Sequence, residues 1–190
     1  MSINYFPVYP IENNCATKLV SRSFASESAT ESVTLTEVKE HLYIDSGNSD
    51  FDTILTALIK ESRHFIEEIT ALSLVSKTVT AYFDYSSEFT IPFGPVTSFT
   101  SAATKTGINT YETKTVNEDY ELIDQKFISY SGNYRMKLIY VAGYTSATIP
   151  YGLKLAFLNE IARRFDNRGD GIVPRTNDLL DSYKMLEWLM

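Results

Sequence analysis

KTVTAYFDYSSEFTIPFGPVTSFTSAATK, residues 77–105, decides how the rest of the chain is read. Upstream of it the apolar residues recur every three or four positions. From about Lys77 they recur every second one. Val79, Ala81 and Phe83 alternate with Thr78, Thr80 and Tyr82, which predicts a strand over Thr78–Tyr85 with one face buried. Glu88–Ile91 reads as a second, short strand. Pro92-Phe93-Gly94-Pro95 is a turn, because two prolines and a glycine forbid a ladder, and Gly94 is expected to hold a backbone conformation closed to other residues. Val96–Thr104 is a third strand.

Downstream, Thr106-Gly107-Ile108-Asn109 marks another turn. Weaker strands are expected near Tyr120–Ile123 and Phe127–Tyr130, and a strong one over Tyr134–Ala142, ended by Gly143. Helix returns after Pro150, a good first-turn residue. Leu153, Ala156, Phe157, Ile161, Ala162 and Phe165 share one face of it, with Arg163, Arg164 and Arg168 at its C-terminal end. After the Gly169–Pro174 loop a last helix carries Leu179, Leu180, Tyr183, Leu186, Trp188 and Leu189.

Upstream, Thr34 and Glu37 have the spacing of a capping box, and Val33 and Val38 that of a hydrophobic staple, so a helix begins at Leu35. A second helix is expected to be capped by Ser49 or Asp50. Phe51, Ile54, Leu55, Leu58, Ile59, Phe65, Ile66 and Ile69 form its stripe. Residues 1–32 read as an arm. Pro7 and Pro10 break regular structure and Ser21–Ser32 is polar, yet Ile3, Tyr5, Phe6, Val8, Tyr9 and Ile11 are too apolar for a free tail.

The order is two helices, a small antiparallel β region, then two helices. The expected class is therefore α+β: a bundle of about four helices (35–44, 50–70, 151–167, 177–189) with an inserted small antiparallel β region (77–143) and an extended N-terminal arm. Residues 33–190 are read as one domain.

Composition narrows the function. A 190-residue chain buries roughly 70% of its unfolded surface and needs no disulfide or metal to hold a core. Its net charge of −7 argues against tight DNA binding, which calls for basic patches. Thirteen tyrosines suit wet protein–protein interfaces, and equally suit strands. No apolar run approaches the ~20 residues of a membrane span, and Met1–Pro10 lacks the features of a signal peptide. Cys15 has no partner within the chain.

Catalytic patterns are scarce. His41 and His64 each sit in a helix as packing or surface residues. There is no zinc spacing, phosphate loop or nucleophile elbow, so no catalytic, metal or cofactor residue is assigned. Asp45, Gly47, Ser49, Asp50 and Asp52 faintly suggest a calcium loop, but Asp50 and Thr56 stand where Gly and Glu are required, and helix capping is the preferred reading. Glu67-Glu68 is read as solvated helix charge.

In order along the chain, several stretches resemble the head-tail connector (portal adaptor ring) proteins of tailed bacteriophages. Val33–Leu42 is similar to that family's opening helix, and Asp45–Asp52 with Leu58-Ile59 and Ile66–Thr70 to its second. Ile91–Ser98 is similar to its most recognisable turn. Tyr140–Tyr144, Ile149-Pro150 and Leu153-Lys154 resemble the entry to its third helix, and Phe165–Arg168 the end of that helix. Val173–Arg175, Leu179-Leu180 and Ser182–Lys184 are similar to its C-terminal segment. Two features depart from the pattern. Ala71 stands where the family often has Gly, and the arm has no counterpart.

The resemblance implies a non-enzymatic structural protein of the virion neck, assembled in the host cytoplasm. It would form a homo-oligomeric ring, a dodecamer matching the portal's symmetry. Its partners would be itself, the portal, and a neck or tail-completion protein. The ring would extend the DNA channel and let the genome pass during ejection without specific binding, with no cofactor and no membrane contact. Independently of the resemblance, the crowding of apolar residues on so short a last helix predicts that Leu179, Leu180, Tyr183, Leu186, Trp188 and Leu189 dock on the portal or a neighbouring subunit, and the same excess in the arm makes Tyr5, Phe6, Val8 and Tyr9 candidate arm contacts with an adjacent subunit. The alternative for both ends is folding back on their own domain. Competing functions are another neck protein (a stopper or tail-completion protein), a small hydrolase, and a regulatory DNA binder.

Overall fold

The computed structural model describes residues 18–167, apart from 87, 124–125 and 130–133, together with Leu180 and Tyr183. The elements are β1 (Lys18–Ala25), α1 (Leu35–His41), α2 (Asp52–Thr70), β2 (Lys77–Ser86), β3 (Glu88–Thr90), β4 (Val96–Lys105), β5 (Tyr111–Lys114), β6 (Tyr120–Ile123), β7 (Lys126–Ser129), β8 (Tyr134–Ala142) and α3 (Tyr151–Asp166). Five strands form one antiparallel sheet in the order β1-β2-β8-β4-β5, and three form a second in the order β3-β7-β6.

The expected four-helix bundle with a small β insert is therefore wrong for this chain. Among the described residues strands dominate, and three helices accompany them. Two strands escaped the sequence reading. β1 lies inside the segment taken as an extended arm and pairs with β2 from Lys18 opposite Asp84 to Ala25 opposite Thr78. It is an edge strand, exposed from Val20 to Ala25, so its sequence keeps little of the alternation that a half-buried strand shows. β5 is only four residues long and half polar. The fourth expected helix, 177–189, falls almost wholly outside the described residues.

The helices form where local signals place them. The capping box at α1 is complete: the Glu37 N–H donates to Thr34 Oγ1 (3.2 Å) and the Thr34 N–H to Glu37 Oε2 (2.8 Å). Val33 and Val38 are both buried in the helical core. α1 ends in a Schellman turn, with the Ile44 N–H donating to the Lys39 carbonyl and the Tyr43 N–H to that of Glu40. Tyr43 takes the left-handed position of that turn (φ 57). α2 is not capped by Ser49 or Asp50. Its N-cap is Phe51, with no side-chain cap bond, and it ends on Ala71 in a left-handed conformation (φ 54), whose N–H donates to the Glu67 carbonyl.

Two hydrophobic cores result. One joins the helices through Leu55, Ile66, Leu153, Phe157 and Ile161, with Leu72 and Leu74 from the linker after α2. The other lies between the sheets: Val79, Phe83, Leu138 and Tyr140 of the large sheet pack with Tyr120 and Phe127 of the small one. Tyr120 stacks on Phe127 at 4.9 Å. Residues 71–74 connect the two cores, with Ala71 in the sheet core and Leu72 and Leu74 in the helical core.

Candidate functional site

The Pro92–Pro95 turn is clasped by the rest of the fold. Four consecutive carbonyls each accept a hydrogen bond: Pro92 from the Tyr140 hydroxyl (2.6 Å), Phe93 from the Ser73 hydroxyl (2.7 Å), Gly94 from the Ser73 N–H (2.8 Å), and Pro95 from the Gly143 N–H (2.9 Å). A buried carbonyl left without a donor costs free energy, so this turn fixes the sheet to the linker after α2. The expectation for Gly94 was misplaced. The left-handed residue of the turn is Phe93 (φ 58), and among the described glycines the one at positive φ is Gly143 (φ 137), where a Cβ would lie 2.1 Å from the Val75 carbonyl oxygen. Phe93 is buried, with Phe24 edge-on at 5.5 Å and the Arg22 guanidinium 4.7 Å from its ring centroid.

Next to this turn is an ionic cluster that the sequence reading missed. Glu67, taken as solvated charge, is buried. Its Oε1 accepts from the Leu74 N–H (2.7 Å) and its Oε2 from the Lys77 ammonium (2.8 Å), with Arg63 Nη1 at 3.4 Å. Arg63 is buried too and also pairs with Glu27 and Glu31. Burial pushes the Glu31 carboxyl above its ordinary value, and the neighbouring Arg63 only partly offsets this. The cluster ties the segment after β1 to α2 and β2. Removing one partner of such a group leaves an uncompensated buried charge, which is strongly destabilising. The only sequence signal was the four-residue spacing of Arg63 and Glu67 on one helix face. Exposed His64 and a pocket of about 230 Å³ lie alongside, bordered by Arg22, Phe24 and Phe93.

The acidic loop faintly suggestive of calcium binding already holds a cation of the chain's own. The buried Lys39 ammonium reaches into it, donating to the Asn48 carbonyl (2.7 Å) and the Ser46 carbonyl (3.3 Å) and pairing with Asp52. Asp45 and Asn48 instead accept from backbone N–H groups of the loop itself. On α3, buried Glu160 is held by Arg163 and Arg164, and Arg164 also reaches Glu61 and lies over Phe65. His41 is placed by a hydrogen bond to Asn159 (3.1 Å). No group of His, Cys, Asp and Glu among the described residues is arranged to hold a metal ion, and no helix among them is long and apolar enough to cross a membrane.

Of the residues expected to dock, Leu180 is completely buried in the helical core and Tyr183 packs against it. Leu179, Leu186, Trp188 and Leu189, and Tyr5, Phe6, Val8 and Tyr9, lie outside the described residues. Other apolar side chains stand in solvent: Tyr43 at 97% exposure, Ile108 at the tip of the β4–β5 hairpin, and Tyr151 at the start of α3. Tyr43 is conspicuous because a glycine would suit its backbone better and none of the described residues covers its ring.

No family model matches this sequence, and no curated protein matches it. Its fold does match solved structures of gene transfer agent (GTA) particles. A chain in the neck of an empty GTA particle, computed with C6 symmetry, superposes with a TM-score of 0.65 at 17% identity, over 85% of this chain and 95% of that one. A chain of the native GTA virion gives 0.64 at 18%, over 85% and 94%. A chain in the neck of the native particle, computed with C12 symmetry, gives 0.61 at 17%, over the same shares. The fold is thus shared along nearly the full length of chains found in those particles.

Proposed function

We propose that this chain is a structural subunit of the neck of a tailed phage or phage-like particle: an adaptor that forms a ring under the portal, extends the DNA channel and offers a docking surface to the next neck or tail protein. The observation that carries this reading is the likeness of fold to chains from GTA particles, at a TM-score of 0.65 and over nearly all of the neck chain. Local resemblance of the sequence to head-tail connectors, from Val33 to Lys184, points the same way. The C12 symmetry of one of those necks agrees with a twelvefold ring. A net charge of −7 suits a wall past which DNA must slide, since it repels phosphates.

On this reading Leu179, Leu186, Trp188 and Leu189 provide the portal-facing anchor, with Trp188 as its centre, since Trp is among the residues that most often carry interface energy. A head-to-tail interface between identical subunits closes into a ring when its rotation fits. The experiment mixes the purified chain with its portal and images the product by negative stain. A ring co-axial with the portal is expected, and a chain truncated after residue 184, which keeps Leu180 and Tyr183 in the helical core, should no longer join it. A chain that instead caps the tail tube and ignores the portal is a tail-completion protein, and the adaptor reading fails.

A further inference from the structure

The large sheet has a second face, turned away from the core. Register puts Tyr82, Lys137, Ala103, Lys105, Tyr111 and Thr113 on it, since Lys137 lies opposite both Tyr82 and Ala103, Ala103 opposite Thr113, and Lys105 opposite Tyr111. This face curls inward at one end. Tyr82 of β2 and Tyr111 of β5 lie on strands separated by β8 and β4, yet their ring centroids are 6.0 Å apart. The Lys137 ammonium is 5.9 Å from each ring centroid. The curl leaves a pocket of about 270 Å³, bordered by both edge strands: Val20 and Ser21 of β1, and Tyr111 of β5. No described strand pairs with the outer edge of either.

We infer that this pocket receives the chain's own N-terminal segment, Tyr5 to Pro10, seated on Tyr82 and Tyr111. Three observations select that occupant. β1 starts at the pocket, because Lys18 pairs with Asp84 and Asp84 lines it. The preceding chain therefore emerges at its mouth, and the link of residues 11–17 spans up to roughly 24 Å, enough to bring the segment back. Second, Pro7-Val8-Tyr9-Pro10 has the P-x-x-P spacing of segments that bind as polyproline II helices in aromatic-lined grooves. Its prolines rule out an unbroken ladder with β1, so recognition falls to side chains. Third, Lys137 lies over both tyrosine rings and Lys105 lines the pocket beside them, while Arg135 is paired with Asp84 at its edge. That environment suits the rings of Tyr5, Phe6 and Tyr9 through cation–π contact, and Glu12 through charge.

The site is independent of the neck assignment. It is tested in the full-length chain carrying Cys15→Ser, Val8→Cys and Thr113→Cys. Oxidation should give a disulfide within one chain, detected as a linked peptide in the monomer band, and Pro7→Ala with Pro10→Ala should reduce its yield. A link found only between two chains assigns the segment to a neighbour and overturns the proposal, as does the absence of any link. A second measurement avoids new cysteines. Tyr5→Ser with Tyr9→Ser should speed amide hydrogen exchange at residues 19–22 and 111–114 and leave α2 unchanged. Unchanged exchange at both edges would also overturn it.

Discussion

The Tyr140 hydroxyl, deep between the two sheets, donates a 2.6 Å hydrogen bond to the Pro92 carbonyl. Burial pushes this phenol far above its ordinary value, so it stays a donor throughout the usable pH range. Tyr140→Phe keeps the ring and removes the donor, leaving a buried carbonyl unsatisfied. Stability should fall by about 1–3 kcal/mol. Urea denaturation with an unchanged m-value checks this. A loss below a few tenths would mean that the turn is not held by this bond.

Gly143 has no room for a side chain. Its φ is 137 and a Cβ would meet the Val75 carbonyl at 2.1 Å. Gly143→Ala should cost at least about 3 kcal/mol or prevent folding. Soluble protein with a wild-type melting temperature would contradict the backbone described for residues 75 and 143.

Tyr43 and Ala71 are both left-handed without being glycine, yet their glycine variants should behave differently. Tyr43 is exposed, so Tyr43→Gly only relieves backbone strain and should stabilise by about 0.5–1 kcal/mol. Ala71 is buried. Ala71→Gly relieves similar strain but removes a buried methyl worth about 0.8 kcal/mol, so the net change should be near zero. Thermal melts of the two variants side by side test the contrast.

Glu37 links α1 to α3 through the Lys154 ammonium. Partial burial alone would raise its carboxyl, but hydrogen bonds from Lys154 and Thr34 outweigh this and hold it below the ordinary value of 4.5. A lowered folded pKa gives stability that is present above the unfolded value and is lost as pH falls through the folded one. Glu37→Gln can still form the capping box. It should cost about 0.5–1 kcal/mol at pH 7, and the cost should shrink as the pH falls below 4.5 and the folded carboxyl takes up its proton. A cost that does not change with pH would refute the charge argument.

Lys39→Met removes the ammonium from the acidic loop and leaves the Ser46 and Asn48 carbonyls and Asp52 without it. A loss of about 1–3 kcal/mol is expected. Millimolar calcium should leave the melting temperature of the unaltered chain unchanged, because the loop's cation is already covalently present.

Local devices were legible in the sequence. The Thr34–Glu37 box, the Pro92–Pro95 turn and the strong strands β2, β4 and β8 were all readable, because each is encoded within a few residues. What was missed depends on distant partners. β1 is a strand because β2 offers it an edge, and its Ser21-Arg22-Ser23 core gives no local sign of this. The burial of Glu67 requires Lys77 and the Leu74 N–H, and neither pairing is visible from a helix wheel. The underestimate of the sheet has the same origin. A helix announces itself by its own periodicity, whereas a sheet edge is defined by its neighbours.

The clasp around residues 92–95 also has a mechanical meaning. The linker at residues 71–74 leads from the helical core into the sheet core, and Ser73 and Gly143 bind the turn on both sides. A load pulling helices and sheet apart would fall on these short, neighbouring bonds at the same moment. They would share it in parallel and give way together. Such a joint yields little under modest tension and then fails abruptly, so the two halves should rotate as one stiff body until the seam itself breaks.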